Sequence, residues 1–278
     1  HRNSASHLYQ VIREARGMTV READRLQLER AAELRSILHE GRLTTYYQPI
    51  VDMDDASIMG YEALTRGPLN TAFEVPKALF TYSDRNHLSS ELDLLCRREA
   101  LRNARGFDRK KKLFLNSLPE TLGTPGLFEQ NLQADLEEVG LQPGNLVLEI
   151  TERTRIEDFE IFGRELDRLR RLGFLVAIDD VGTGYSSLQT VSEVAADFLK
   201  IDMSLIKNVH QSLIKQDLVH SLLQVAARTR TRVIAEGIES AEEYQALRAC
   251  GVRYGQGFYF AHPAPAFPGL VRGGPGTA

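Results

Sequence analysis

Two adjacent acids, Asp179 and Asp180, end the apolar run of "LVAIDDVGTGYSSL" (175–188) just before a loop with two glycines. Neighbouring carboxylates repel unless something positive shares their space, so a metal, a lysine or solvent must offset them. Other polar groups recur in the same setting: Glu62 in "YEAL", Asn116 ending "LFLN", Glu149 and Glu152 in "LEITE", Glu236 and Glu239 in "VIAEGIE". Each stands at or just past the end of a strand-like run. A bowl of five or more carboxylates requires cations, and an oxygen-rich set without interleaved thiol or imidazole suits Mg²⁺ or Mn²⁺ better than zinc. Asp179 could bridge two such ions about 4 Å apart, the spacing that serves in-line displacement at phosphorus. The seven histidines show no close ligand spacing, and His210 and His220 fall in helical or connecting segments. Taken singly, Glu152, Glu239 or Asp202 is better explained as a helix cap or an arginine partner. It is their coincidence at strand ends that argues for a site. Lys200, the lone cation in "FLKID", shares a strand face with Asp202. It either forms an ion pair in the barrel mouth or orients an attacking water and offsets charge developing on a phosphoryl group. The glycine loop lacks the third glycine of a dinucleotide fingerprint; it reads as a tight turn, or as a mobile loop supporting a second metal.

These residues need a scaffold that brings strand ends together. Apolar runs alternate with helical ones: "TTYYQPIV", "SIMGYEAL", "KLFLN", "NLVLEIT", "FLVAIDD", "DFLKID", "RVIAE" and "YGQGFYF". Eight strands separated by helices predict an α/β barrel of the (β/α)8 type, whose strand C-termini share one face. Helical spacing appears in Phe159, Phe162, Leu166 and Leu169, closed by Gly173, and in Leu218, Leu222 and Val225. Ser240 and Glu243 predict a capping box at the start of a helix that Gly251 ends. Residues 21–39 predict an amphipathic N-terminal helix with Leu34, Ile37 and Leu38 on one face. Residues 1–20 read as an upstream linker, 21–266 as the barrel with its leading helix, and 267–278 as a Pro/Gly-rich tail.

Composition narrows the function. The formal net charge is −4 and the pI about 6.0, which gives no bulk attraction to DNA or RNA, so a phosphate ligand must be caught locally. Cys96 and Cys250 form no CxxC, and a cytoplasmic, reducing setting is expected. No apolar run approaches 18 residues, so no membrane contact is expected of this chain, although an upstream segment could anchor a longer protein.

"YYQPIVDMDDASIMGYEALTR", "FLN", "LEITE", "AIDDVGTGYSSL", "LKID", "IAEGIE" and "GQGFYFAHP" resemble, in order and spacing, the EAL domain family of cyclic di-GMP phosphodiesterases. The resemblance runs from about residue 26 to 265 and implies a modified TIM barrel with one antiparallel strand. It also implies hydrolysis of cyclic di-GMP to linear pGpG with two divalent cations, Mg²⁺ or Mn²⁺. Ca²⁺, with its longer and looser oxygen geometry, is expected to support binding but to inhibit hydrolysis. By the same resemblance the metal ligands fall on Glu62, Asn116, Glu149, Asp179 and Asp180. Lys200 and Glu236 take the catalytic positions, and Glu152 anchors the glycine loop. Gln48, Leu64, Arg66, Glu239 and Gln256 fall on substrate-side positions, Gln256 also reaching metal-bound water, and Arg66 carries a donor fork suited to phosphate. Two departures stand out: Val181 where the family often has Phe, and Gly67 where an aromatic is more usual on a substrate-facing wall. An intact ligand set favours an enzyme; the alternative is a receptor that binds the nucleotide without cleaving it. A homodimer and an upstream sensory or regulatory domain are the expected partners.

Overall fold

A computed structural model describes residues 25–122, 127–151, 159–182 and 196–270. The chain divides into two compact units, residues 1–43 with 67–92, and residues 44–66 with 93–278.

In the first unit the leading helix α1 covers 25–40, with Leu34 and Ile37 fully buried, as its spacing predicts. The helix α2, Pro76–Arg85, begins on a proline, whose missing N–H costs nothing in a first turn. The Tyr82 hydroxyl donates to the Gln27 carbonyl at 2.7 Å. Gly67 is buried with its backbone against that of Phe73; an added Cβ would come within 1.9 Å of the Phe73 oxygen. The glycine where an aromatic was expected is therefore matched to the path of its own loop.

The second unit is a closed barrel in sequence order. Its strands are β1 (Thr44–Asp52), β2 (Ile58–Arg66), β3 (Lys112–Asn116), β4 (Leu146–Thr151), β5 (Leu175–Val181), β6 (Phe198–Ile201), β7 (Arg232–Ala235) and β8 (Tyr254–Gly255). β1 runs antiparallel to both β2 and β8, and the remaining neighbours are parallel. This is the expected architecture. Between the strands stand α3 (Ser89–Arg102), α4 (Pro119–Leu122), α5 (Leu127–Val139), α6 (Phe159–Arg171), α7 (Met203–Ile206), α8 (Leu213–Thr229) and α9 (Ala241–Cys250). Ile50, Phe114, Val147, Ala177, Phe198 and Ile234 fill the barrel interior as one buried cluster.

Two details differ from the sequence reading, and a third settles one of its alternatives. The run "YGQGFYF" is a strand over only two residues, because Phe260 and Ala261 donate their N–H groups back to the Gly257 carbonyl and curl the chain into a turn. On α8 the buried stripe is Val219, Leu222 and Ala226, whereas Leu218 and Val225 are exposed. Asp202 is a helix cap, as expected of it taken singly, and not a partner of Lys200: it caps α7, accepting the Ser204 N–H at 2.8 Å. The Ser240–Glu243 capping box and the left-handed Gly251 are both present on α9. After β8 the chain returns to β1, Tyr47 and Ala264 exchanging backbone hydrogen bonds, and Phe267 packs on Tyr47, Tyr61 and Phe107.

Candidate active site

Barrel register does the first part of the positioning. Gln48 lies opposite Glu62 and Asn116 opposite Glu149, so polar groups on neighbouring strands stand side by side. β5 adds an irregularity. Ile178 pairs with Leu199 and Val181 with Ile201, so Asp179 and Asp180 together oppose the single residue Lys200. That is a β-bulge, and Asp180 takes a left-handed φ of 59° within it. In a regular strand adjacent side chains point to opposite faces. Here one carboxylate oxygen each of Asp179, Asp180 and Glu236 lies within 4.8 Å of the others. The bulge is how two consecutive acids serve one site, and Asp is among the few residues that tolerate the left-handed region. Gly182, at φ 114°, follows directly; a Cβ there would approach Leu205 Cδ1 to 2.5 Å.

Lys200 is completely buried and gathers the acids. Its Nζ lies 2.6 Å from Glu149 Oε1, 2.8 Å from Glu236 Oε1, 3.3 Å from Asp179 Oδ1 and 3.4 Å from Glu62 Oε2. Burial disfavours the ammonium, but Asp179, Glu149, Glu236 and Glu62 outweigh it and hold the lysine well above its ordinary pKa. Burial pushes Glu149 well above the carboxylate range, with Lys200 pulling the other way. Glu236 is likewise raised by burial and by Asp179. Four carboxyl groups share one ammonium, so ionising all of them leaves an excess of negative charge.

A chain of amides lines one wall. Gln256 Nε2 donates to Glu62 Oε2 at 2.6 Å and to Gln48 Oε1 at 3.1 Å, and Gln48 Nε2 donates to the Ala261 carbonyl at 3.1 Å. Asn116 Nδ2 lies 3.4 Å from Glu62 Oε1. Glu149 Oε2 and Gln256 Oε1 are buried and accept no hydrogen bond among the described residues. Buried oxygens normally have partners, so these are free to receive a cation or a bound water. With the excess charge and the all-oxygen donor set, the residues fit hard divalent cations.

The remaining candidates are less tightly joined. Arg66 is half-buried, lies over the Tyr46 ring at 5.3 Å, and donates to the Thr65 carbonyl at 3.0 Å; burial lowers its pKa while Tyr46 and Glu62 raise it. Leu64 is half-buried on the same strand, and Glu239 is exposed, its N–H donating to Glu243 Oε2 at 2.9 Å. Val181 is buried in the core. Glu152 and the loop from Thr183 to Leu188 lie outside the described residues.

Sequence reasoning missed one buried network. Asp93 on α3 pairs with Arg97, accepts the Thr121 hydroxyl at 2.6 Å, and receives the Leu118 N–H at 3.3 Å, fastening the segment just after Asn116. A carboxylate and an arginine four residues apart within a helix are a common surface pattern, so the sequence carried no signal of their burial.

Comparison with known proteins agrees with this architecture. Residues 31–263 match the EAL domain family. The cyclic di-GMP phosphodiesterase NbdA of Pseudomonas aeruginosa is 31% identical over 256 residues, 90% of this chain and 32% of the relative. The chain thus spans about a third of the length of the curated relatives it matches. Among solved structures, a calcium and cyclic di-GMP complex of BlrP1 from Klebsiella pneumoniae is 30% identical with a TM-score of 0.75, over 82% of this chain and 58% of that one. A manganese complex of the same protein superposes with a TM-score of 0.73 at 30% identity, over 80% and 56% of the two chains. A standalone EAL protein from Vibrio cholerae O395 with bound cyclic di-GMP is 32% identical with a TM-score of 0.74, over 82% of this chain and 95% of that one. The bulged pair of acids, the buried lysine they surround and the single antiparallel strand thus stand in a chain that belongs to the EAL domain family.

Proposed function

We propose that this chain hydrolyses one phosphodiester of cyclic di-GMP to linear pGpG, using two divalent cations, Mg²⁺ or Mn²⁺. The observation that carries the reading is the buried acid cluster around Lys200, with its surplus negative charge and its unsatisfied Glu149 and Gln256 oxygens. Glu62, Asn116, Glu149, Asp179 and Asp180 would hold the cations. Bound there, such ions polarise a phosphoryl oxygen and acidify a coordinated water.

The chain's own groups do the rest. The raised pKa of Glu236 makes it a stronger proton acceptor than an ordinary carboxylate as water attacks phosphorus. Lys200 stays protonated, keeps the carboxylates together before the cations arrive, and offsets charge developing on the phosphoryl oxygens. The P–O3′ bond breaks in line with attack, and the departing 3′-oxygen takes up a proton. Arg66 would grip a phosphate; Gln48, Leu64, Glu239 and Gln256 would contact the dinucleotide, and Gln256 would also reach water held at the cation site; Glu152 would anchor the glycine loop. In the longer protein, residues 21–266 act as the catalytic unit of a homodimer under an upstream sensory or regulatory domain in the cytoplasm. The greater length of the relatives supports the presence of a further domain.

The test is direct. Incubation with cyclic di-GMP and Mg²⁺ should yield pGpG, and Glu62→Ala should abolish turnover while binding persists. Wild-type rates in that variant would overturn the ligand assignment. Binding without product in the unaltered chain would make it a receptor.

A further inference from the structure

We propose that the end of the barrel opposite the acid cluster holds a second, cationic site, which takes a soluble phosphate anion of about the size of pyrophosphate. Strands β2, β3, β7 and β8 begin on Ile58, Lys112, Arg232 and Tyr254, and β1, running the other way, ends on Asp52. Asn116 ends β3, and Glu236 and Gln256 follow β7 and β8, so the cavity and the acids occupy opposite mouths of the barrel. All five starting and ending residues line one cavity of about 290 Å³, to which Lys110, Lys111 and Asp108 also contribute. That volume lies below the roughly 300–1,000 Å³ of sites that enclose drug-sized ligands, which points to a small anion and not to a whole nucleotide.

Charge is what marks this cavity. By strand alternation Lys112 shares a face with Phe114, and Arg232 with Ile234, both members of the interior cluster, so two cations occupy inward positions where an apolar layer would otherwise continue. The Arg232 guanidinium lies over the Phe198 ring, 4.0 Å from its centroid, and closes that interior with a positive charge. Lys112 is half-buried and its Nζ donates to the Gly144 carbonyl at 2.5 Å. Burial and the neighbouring Arg232 lower the Lys112 pKa, while Asp197 raises it. Like charges thus face one recess at a mutual cost that a bound anion would remove. The two acids of the cavity are already engaged: Asp52 accepts from Arg253 at 2.8 Å, and Asp108 lies 3.8 Å from Lys111. Among the described residues Lys110, Lys112 and Arg232 form no ion pair. A chain of formal net charge −4 therefore gathers four cations on one recess, whose apolar floor strengthens their field. An arginine fork with lysine point charges suits phosphoryl oxygens. Asp54 and Asp55, exposed in the turn between the lining residues Asp52 and Ser57, disfavour a flat anionic membrane, so the ligand is a soluble one.

Calorimetric titration with sodium pyrophosphate in EDTA, where the catalytic acids repel anions, should show one site whose affinity falls with added salt. Arg232→Gln and Lys112→Gln should each weaken it roughly ten-fold or more, the loss of a charge-assisted hydrogen bond. Arg66→Ala, at the other mouth, should leave it unchanged. Arg232 is exposed, so its replacement keeps the fold, and thermal unfolding gives a second readout: pyrophosphate should raise the Tm of the unaltered chain and of Arg66→Ala but not of Arg232→Gln. No binding by the unaltered chain at millimolar pyrophosphate would overturn the site, as would a loss in Arg66→Ala with none in Arg232→Gln. Citrate binding as tightly as pyrophosphate would overturn the phosphoryl assignment, and capture by phosphatidylglycerol vesicles without pyrophosphate binding would overturn the soluble one. Neither cyclic di-GMP nor a divalent ion enters the titration, so its failure leaves the proposed hydrolysis untouched.

Discussion

Replacing Lys200 by Met keeps the volume of the side chain and removes a charge that lies 2.6 to 3.4 Å from four carboxylates. Removing one partner of a buried ion pair costs about 3–5 kcal/mol, because the other charge stays behind without compensation. Mutual repulsion has the same scale, since two carboxylates about 4 Å apart repel by about 4 kcal/mol at an effective dielectric of 20. At about 2–4 °C per kcal/mol for a domain of 150–250 residues, the barrel transition should fall by roughly 6–20 °C in EDTA. Divalent ions should then reverse much of the loss, since they supply the missing positive charge where the acids converge. Thermal unfolding of both chains in EDTA and in Mn²⁺ measures this. An unchanged Tm in EDTA would refute the view that Lys200 holds the acids together, and a deficit indifferent to Mn²⁺ would refute the claim that ions and lysine serve the same charge. If Lys200 also acts in the reaction, kcat of the Mn²⁺-loaded, folded variant stays low after stability is regained.

Metal affinity should rise with pH. Glu149 and Glu236 have raised pKa values before metal binds, and cations bind the ionised form, so binding expels protons and weakens as these groups are protonated on acidification; calorimetry in buffers of different ionisation enthalpy should show net proton release, and none would count against the shifts. Asp180→Asn should keep stability within about 1 kcal/mol, because Asn also tolerates the left-handed region, yet weaken Mn²⁺ binding; Asp180→Val should add strain of about 1–3 kcal/mol, read by urea unfolding, and equal stability of the two would remove the argument from the bulge. Gly67→Ala should destabilise the chain by about 1–3 kcal/mol through contact with the Phe73 carbonyl, and an unchanged denaturation midpoint would show that the loop moves aside at no cost. With Ca²⁺ as the sole metal, cyclic di-GMP should bind without rapid product formation, and brisk turnover in that condition would refute the geometric argument.

The strands were legible because a buried barrel writes itself as apolar runs, but the polar interruptions marked their ends only in part: Asn116 ends β3 and Glu236 follows β7, whereas Glu62 lies mid-strand in β2, and β4 and β5 run two residues past Glu149 and Asp179. What joins the interruptions was less visible. Alternation predicts opposite faces for Asp179 and Asp180, and only the pairing with β6 reveals the bulge that unites them. Alternation likewise put Asp202 beside Lys200, but a helix begins there and takes its carboxylate as a cap. On α8 the apolar residues outnumber the places inside, so periodicity alone could not say that Val219 is buried and Leu218 is not. The hydrogen bonds among Gln48, Gln256 and Glu62 connect positions some 200 residues apart, a relation that local pattern cannot encode.

The return of the chain to its first strand sets a timetable for synthesis. β1 borders both β2 and β8, and Tyr47 also bonds Ala264, so the two ends of the barrel sequence meet along one seam. Until the last strand has left the ribosome, β1 keeps an open edge, and the pairings that close it span nearly the whole unit. Such distant pairings make closure a slow step whose loop entropy must be met before any contact rewards it. Gln256 directly follows that last strand and bonds Glu62 only after closure. A nascent chain that has made every acid of the cluster therefore still lacks the assembled pocket, which is completed when the seam closes.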